Sequence, residues 1–211
     1  MSNLPILSQK MIKVLKRYEQ RLEQKFLSMD EMKKAYRVRY KSFFEELGWI
    51  PENKMKLDFD KYDEEAVHLG VYAGGDLISY CRVIDSPQNF MIDKEFNNIV
   101  DGSDIEERSA EVSRLVTSEK AKKFEKFAAP LLMYREVYKY MIKNKLRYCY
   151  IVVTQQYLKT VQKIFPFKRI GSSESHPGES LTVAAVLDLR QMEDYFKNDK
   201  NFYSWFTQSQ T

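Results

Sequence analysis

Six charged residues stand where charge is out of place. The stretch "SAEVSRL" (109–115) reads as a strand, yet it carries Glu111 and Arg114 three residues apart. Strands favour β-branched and aromatic residues, and ionised side chains are seldom buried without partners. Arg82 in "SYCRVI" raises the same question, and Arg39 lies in line with the apolar stripe of a helix. Asp60 and Asp63 in "DKYD" supply further carboxylates. An unpaired buried charge costs several kcal/mol, so Arg39, Arg82 and Arg114 are expected to balance Asp60, Asp63 and Glu111. A carboxylate so placed can take a proton as a general base, and a guanidinium can grip a carboxylate. On residue types alone, a purely structural ion network explains the pattern adequately.

The elements that must position these groups follow from periodicity. Residues 8–20 predict a charged amphipathic helix, and 21–27 a short strand. "SMDEM" forms a capping box with Ser28 as N-cap and Glu31 three residues on. The helix it opens, 29–47, places Met32, Tyr36, Arg39, Phe43 and Leu47 at helical spacing. Arg39 there either turns inward or snorkels its head to water. "AVHLGVYAGGDLISYCRVIDS" predicts a hairpin turning at Gly74-Gly75, and "IEERSAEVSRLVTS" supplies the next strand. Pro130 is expected to start a helix to about 144, with Leu131, Tyr134, Tyr138, Met141 and Ile142 inward. "RYCYIVV" is a buried strand, 155–165 a helix, "FKRIGS" and "LTVAAVLDL" strands, and 190–197 a closing helix. The expected α/β architecture is a mixed sheet with helices on both faces.

The 211 residues suffice for one sizeable core, read as a single domain over 1–197. The polar tail 198–211 carries Phe202, Tyr203, Trp205 and Phe206, expected to dock weakly on the core or a partner. A secretory h-region and an apolar run of the roughly 20 residues needed for a membrane span are both missing, so a cytoplasmic location is expected. Cys81 and Cys149 lie in apolar strands and read as core residues. A net charge of +4 is too small to argue for nucleic acid. Its local concentration in "KAKKFEK" (120–126) is either a solvated helix face or a docking surface for an acidic partner. His68 and His176 lack metal-ligand spacing with Cys or Asp, so no metal is inferred, and His68 reads as a strand-edge residue.

With these residues in place the chain resembles the acyl-homoserine-lactone (autoinducer) synthases and the related N-acyl amino acid synthases. The autoinducer pattern is Arg, Phe and Trp at offsets 0, 4 and 10, then D-x-x-D, an Arg, and E-x-S-R. Arg39, Phe43 and Trp49, then Asp60 and Asp63, Arg82, and Glu111 with Arg114 match it in order. "AYRVRY", "YDEEAVH", the long lead before Arg39 and the closing "TVAAVLDL" lean toward the N-acyl amino acid synthases. The resemblance implies a GNAT-like acyltransferase fold, with a mixed, mostly antiparallel sheet.

It also implies chemistry: transfer of a fatty acyl group from a thioester to the amine of an amino-acid acceptor. Glu111 would be the base or position a water, with Arg114 and Arg82 completing the polar site, and Asp60 and Asp63 holding the arginines or the acceptor's ammonium. Arg39, Phe43 and Trp49 lie where autoinducer synthases bind S-adenosylmethionine. Thr154 matches a position that contacts the acyl chain in some of them, though an ordinary strand-end threonine explains it as well. Acetyl-CoA enzymes of this fold cradle pyrophosphate on a glycine-bearing loop, whereas this chain reads "VTSEKAKKFEK" there, without glycine. That favours acyl-phosphopantetheine on acyl carrier protein, docked by Lys120, Lys122, Lys123 and Lys126, with no bound cofactor. The alternative is an autoinducer synthase using S-adenosylmethionine, a quorum-sensing role. A more distant alternative is a non-catalytic acyl-carrier or lipid-binding module.

Overall fold

A computed structural model describes residues 9–87, 89–101, 105–174 and 181–208; His176 and the outermost residues of both termini fall outside these. The elements, in chain order, are α1 (Gln9–Glu19), β1 (Glu23–Phe26), a 3₁₀ turn (Met29–Glu31), α2 (Met32–Tyr40), a π-helical turn (Lys41–Glu46), β2 (Val67–Ala73) and β3 (Asp76–Asp85). Then come α3 (Met91–Glu95), β4 (Ser109–Thr117), α4 (Glu125–Lys143), β5 (Tyr148–Thr154), α5 (Gln155–Val161), β6 (Lys168–Glu174), β7 (Thr182–Asp188), α6 (Leu189–Phe196) and α7 (Lys200–Thr207). The seven strands are ordered β1-β2-β3-β4-β5-β7-β6. β4 and β5 pair in parallel; β1-β2, β2-β3, β5-β7 and β6-β7 are antiparallel, giving the mixed, mostly antiparallel sheet expected.

The chain divides into two compact units. One comprises Leu15–Val83 and Ser113–Val137. Its β2-β3 hairpin turns at Gly74 and Gly75, both at positive φ (57° and 87°), a conformation in which glycine carries no Cβ penalty. Register sets His68 opposite Arg82, and the two-residue period puts Tyr80 on the same face as Arg82. The Ser28 capping box forms as expected. After Tyr40 the helix widens into its π turn, where Leu47 N–H donates to Ser42 C=O and Trp49 N–H to Phe43 C=O. The wider turn breaks the 3.6-residue stripe: Met32, Arg39 and Phe43 are buried, but Leu47 is half exposed.

Pro130 lies within α4, not at its start. The helix begins a turn earlier because the Glu125 carboxylate accepts the Lys122 N–H (2.7 Å), capping it from within. The expected inward residue Ile142 is exposed, near the helix end.

The other unit comprises residues up to Val14, Ile84–Val112 and Tyr138 onward. β5 pairs with β7 along its whole length, and with β4 over Ser109–Glu111. Gly171, at φ +60°, sits where a Cβ would fall 1.9 Å from the Ile99 carbonyl oxygen, so no side chain fits. The stretch read as a weakly docked tail forms α7, capped by Asp199. Phe202, Trp205 and Phe206 are buried, and Phe206 packs against Phe165, Phe196, Phe202 and Tyr138 at centroid distances of 5.6, 5.1, 5.6 and 5.3 Å. An aromatic cluster of this density belongs to the core. Phe206→Ala is expected to cost about 3–5 kcal/mol in urea unfolding; a loss below about 1 kcal/mol would make α7 peripheral after all.

Candidate active site

Arg39 and Arg82 are the largest fully buried side chains among the described residues, and the charge of Arg39 needs carboxylates. It finds three: Asp58 (2.9 Å to Nε), Asp63 (2.7 Å to Nη1) and Asp60 (3.6 Å to Nη2). Arg82, also fully buried, binds Asp60 and Asp63 (3.0 Å) and donates from Nε to Ser113 Oγ (3.1 Å). Arg114 completes the set, with Nη2 2.9 Å from Asp60 and Nε 3.2 Å from Asp58. Three guanidiniums therefore face three aspartates, and the cluster is neutral. Asp60 and Arg114 are its partly exposed edge, with side chains 23% and 22% accessible against 6% or less for the other four.

The aspartates all come from the loop between the π turn and β2. That loop is built, not loose: Asn53 and Leu57 exchange hydrogen bonds, Asp58 N–H donates to Tyr36 C=O (3.0 Å), and Asp63 accepts the Asp60 N–H (2.8 Å). The arginines come from α2, β3 and β4, so loop, helix and strands are tied at one point. Burial opposes ionisation of Asp63, but the charges and hydrogen bond of Arg39, with the Asp60 N–H and Arg82, outweigh it and hold its carboxyl below the ordinary range.

A neutral chain of hydrogen bonds extends from the cluster. The Asp63 carbonyl can only accept, so His68 Nε2 (2.9 Å) carries the proton and Nδ1 accepts from the Tyr80 hydroxyl (2.7 Å). Tyr80 in turn receives a long contact from Arg39 Nη1 (3.5 Å). His68 is thus a buried member of the network and not a strand-edge residue, because β2 has neighbours on both sides. Burial depresses its pKa, only partly offset by Asp63 and reinforced by Arg39 and Arg82. Burial likewise raises the Tyr80 hydroxyl's pKa well above its usual value.

Aromatic rings flank the arginines. Trp49 stacks on Phe43 (5.9 Å, 22°), and the Arg114 guanidinium lies 5.4 Å from the Phe43 ring. Phe59 meets Tyr36 (5.7 Å), which Arg39 covers at 5.4 Å. The outer rings, Trp49 and Phe59, are about half exposed.

Glu111, expected in the arginine cluster, has its described hydrogen bond with α3. It is 1% exposed, and its Oε2 accepts the Ile92 N–H at the start of α3 (2.9 Å). Asp58 takes the place assigned to Glu111. The sequence reading missed Asp58, although "DFDKYD" carries it two residues before Asp60, on the same arginine-bound loop. Arg114 has φ +55° inside β4, a left-handed kink rare for a non-glycine residue and costing about 1–3 kcal/mol. Burial, with a contribution from the Glu111 charge, pushes the Cys149 thiol up to about 12, so it stays protonated. Thr154 caps α5, its Oγ1 accepting from Tyr157 N–H (3.2 Å).

The lysine segment lies at the start of α4. Lys122, Lys123 and Lys126 are exposed beside Phe124, and Lys120 meets Asp76 (2.8 Å) at the surface. Backbone N–H groups there are already engaged: Lys120 by Ser118 Oγ (3.3 Å), Ala121 by Ser118 C=O (3.0 Å) and Lys122 by the Glu125 carboxylate.

The family model for N-acyl amino acid synthase FeeM matches residues 34–188. No single protein of curated function matches the chain at a significant level. Among solved structures, the acyl-homoserine-lactone synthase LasI is 18% identical with a TM-score of 0.70, covering 80% of this chain and 90% of its own. FeeM, an N-acyl amino acid synthase from uncultured soil microbes, is 18% identical with a TM-score of 0.62 over 83% and 96%. BjaI, a CoA-dependent acyl-homoserine lactone synthase solved with SAM and isopentyl-CoA, is 17% identical with a TM-score of 0.68 over 80% and 81%. At these identities the structures show the shared fold, the GNAT-like one that the sequence led us to expect.

Two titrations test the cluster. Asp63→Asn leaves Arg39 and Arg82 short of a charge and is expected to cost about 3–5 kcal/mol near neutral pH. Because the native pKa of Asp63 is lowered, its contribution is full above the ordinary carboxylate range and is lost as pH falls through the native pKa. The gap between wild type and variant should therefore close in acid; a gap independent of pH would refute the assignment. For His68, also depressed, stability is full above the ordinary imidazole range and declines as pH falls below it. His68→Gln should flatten that part of the curve, and an unchanged slope would place the titration elsewhere.

Proposed function

Because the chain belongs to the N-acyl amino acid synthase FeeM family, and is an acyltransferase of amines, we propose that it transfers a fatty acyl group from acyl carrier protein to the amine of an amino acid. The observation that carries this reading is Glu111, a buried carboxylate on β4 held by a backbone N–H and followed three residues on by the kinked Arg114.

In the proposed reaction, Glu111 takes the ammonium proton directly or through a water, and the freed amine attacks the thioester carbon. Backbone N–H groups at the Arg114 kink are the proposed donors to the oxyanion. Collapse forms the amide and releases the phosphopantetheine thiolate, which takes up a proton. Asp60 and Arg114, the accessible edge of the cluster, would receive the acceptor's ammonium and carboxylate. Arg82 and Arg39 act from beneath, holding the aspartates in position. Protonated Cys149 offers no thiolate, which supports direct transfer over an acyl-enzyme. We assign Thr154 no contact beyond its cap, although it matches the acyl-chain position of some autoinducer synthases.

Acyl carrier protein is preferred over CoA for a physical reason. The Lys120, Ala121 and Lys122 amides just before α4 are engaged internally, and Glu125 would repel a pyrophosphate's charge. The exposed lysines instead suit an acidic protein, and such a donor fits work in the cytoplasm. A second reading, autoinducer synthesis, is favoured by the half-exposed Trp49 stacked on buried Phe43; there S-adenosylmethionine would be the acceptor and methylthioadenosine a product.

Mass spectrometry of the protein with acyl carrier proteins, amino acids and S-adenosylmethionine separates the readings. An N-acyl amino acid without methylthioadenosine is expected; an acyl-homoserine lactone with it would replace the lead. Glu111→Gln should lower turnover by about 10²–10⁴-fold with the fold intact. Reversing charge at Lys122 and Lys123 should raise KM for acyl carrier protein, the more so at low salt. Equal KM in that variant, or equal use of acyl-CoA, would remove the docking role.

A further inference from the structure

A cavity of about 220 Å³ lies within the unit built on β5 and β7, lined by Arg108, Ile142, Lys145, Leu146, Arg147, Leu189, Arg190 and Glu193. One of its cations is already paired, and its one carboxylate is hydrogen-bonded but keeps its charge. Arg147 is gripped by Asp188 (2.7 and 3.2 Å), and Glu193 accepts the Tyr138 hydroxyl (2.8 Å). Arg108, Lys145 and Arg190 are exposed and form no ion pair among the described residues. Two of these three, Arg108 and Lys145, adopt positive φ (56° and 58°), an uncommon conformation for residues of their type. Part of the lining is apolar: Leu146 and Leu189 are buried, and Ile142 is half exposed. Three cations without an ion pair outnumber the single Glu193 carboxylate, and with the leucines they suit a ligand with an anionic head and an apolar body. At this volume the cavity is smaller than the roughly 300–1,000 Å³ of sites that engulf a whole small molecule, so it would take one end of the ligand.

We propose that this cavity binds the carboxylate end of an acyl-chain amphiphile, the product N-acyl amino acid or a free fatty acid, apart from the residues assigned to acyl transfer. The choice of amphiphile rests on the synthase reading; the charge and apolar lining do not. The carboxylate would sit among Arg190, Lys145 and Arg108, with the adjacent methylenes on Leu146, Leu189 and Ile142. Occupancy would retain product or report its accumulation.

The test is calorimetric titration of the full chain with N-dodecanoyl-glycine, sodium dodecanoate and inorganic phosphate, repeated for Arg190→Glu and Lys145→Glu. Both substitutions are at exposed positions outside the acyl-transfer residues. Binding of an amphiphile that weakens at least tenfold in each variant, with acyl-transfer rates within about twofold of wild type, is the expected result. Tighter N-dodecanoyl-glycine assigns the site to product, and tighter dodecanoate assigns it to free fatty acid. Amphiphile binding unchanged in both variants, no binding at all, or phosphate binding as tightly as either amphiphile would overturn the proposal. Failure of the synthase reading is separate: it would appear as no acylated amine from wild type, whatever the titrations show.

Discussion

A fully buried guanidinium sets the terms for half of this molecule. Arg39 projects from a helix into the interior, where an unpaired charge would cost more than a domain of this size can spare. It is tolerated because a single loop supplies three aspartates. That loop could otherwise run freely between the π turn and β2, and its closure on Arg39, Arg82 and Arg114 gives it one conformation. The same ion pairs that compensate the arginine therefore carry Trp49 and Phe59 to their places against Phe43 and Tyr36. Neutral His68 and Tyr80 extend the network without adding charge, which a cluster already balanced three against three would not accommodate.

Such a cluster serves specificity of form more than stability. Well-packed apolar residues of similar volume often hold a core as firmly as a buried ion network. What the network adds is direction, since each guanidinium accepts carboxylates only at defined angles. Its least buried members, Asp60 and Arg114, inherit that alignment while still meeting solvent. Arg114 pays locally with a left-handed backbone, the kind of strain that persists where surrounding contacts over-determine it.

At the α4 N-terminus the chain answers its own backbone amides. A helix start with free amides invites phosphate. Here Ser118 and Glu125 take the Lys120, Ala121 and Lys122 amides just before the helix, and Lys122, Lys123 and Lys126 are exposed. Burial keeps the Cys149 thiol protonated, in keeping with the direct attack by the amine proposed above.

Much of this was readable in the chain. Alternation placed the hairpin at Gly74-Gly75, the Ser28-Glu31 box placed the helix start, and charges in apolar surroundings marked Arg39, Arg82, Arg114, Asp60 and Asp63, because local periodicity and the cost of burying charge are properties of short segments. Other features depend on contacts distant in sequence. Asp58 looked like an ordinary loop aspartate until the fold set it against Arg39, nineteen residues away, and the start of α3 offered Glu111 an amide. The π turn rotated Leu47 outward, a phase change no 3.6-residue pattern can announce. The aromatic residues of α7 looked like a tail because only Phe165, Phe196 and Tyr138, brought together in space, give them a core to enter. Sequence determined which charges must be buried and paired; tertiary structure decided the partners, because a pairing is fixed by the distances and angles that close when remote segments pack.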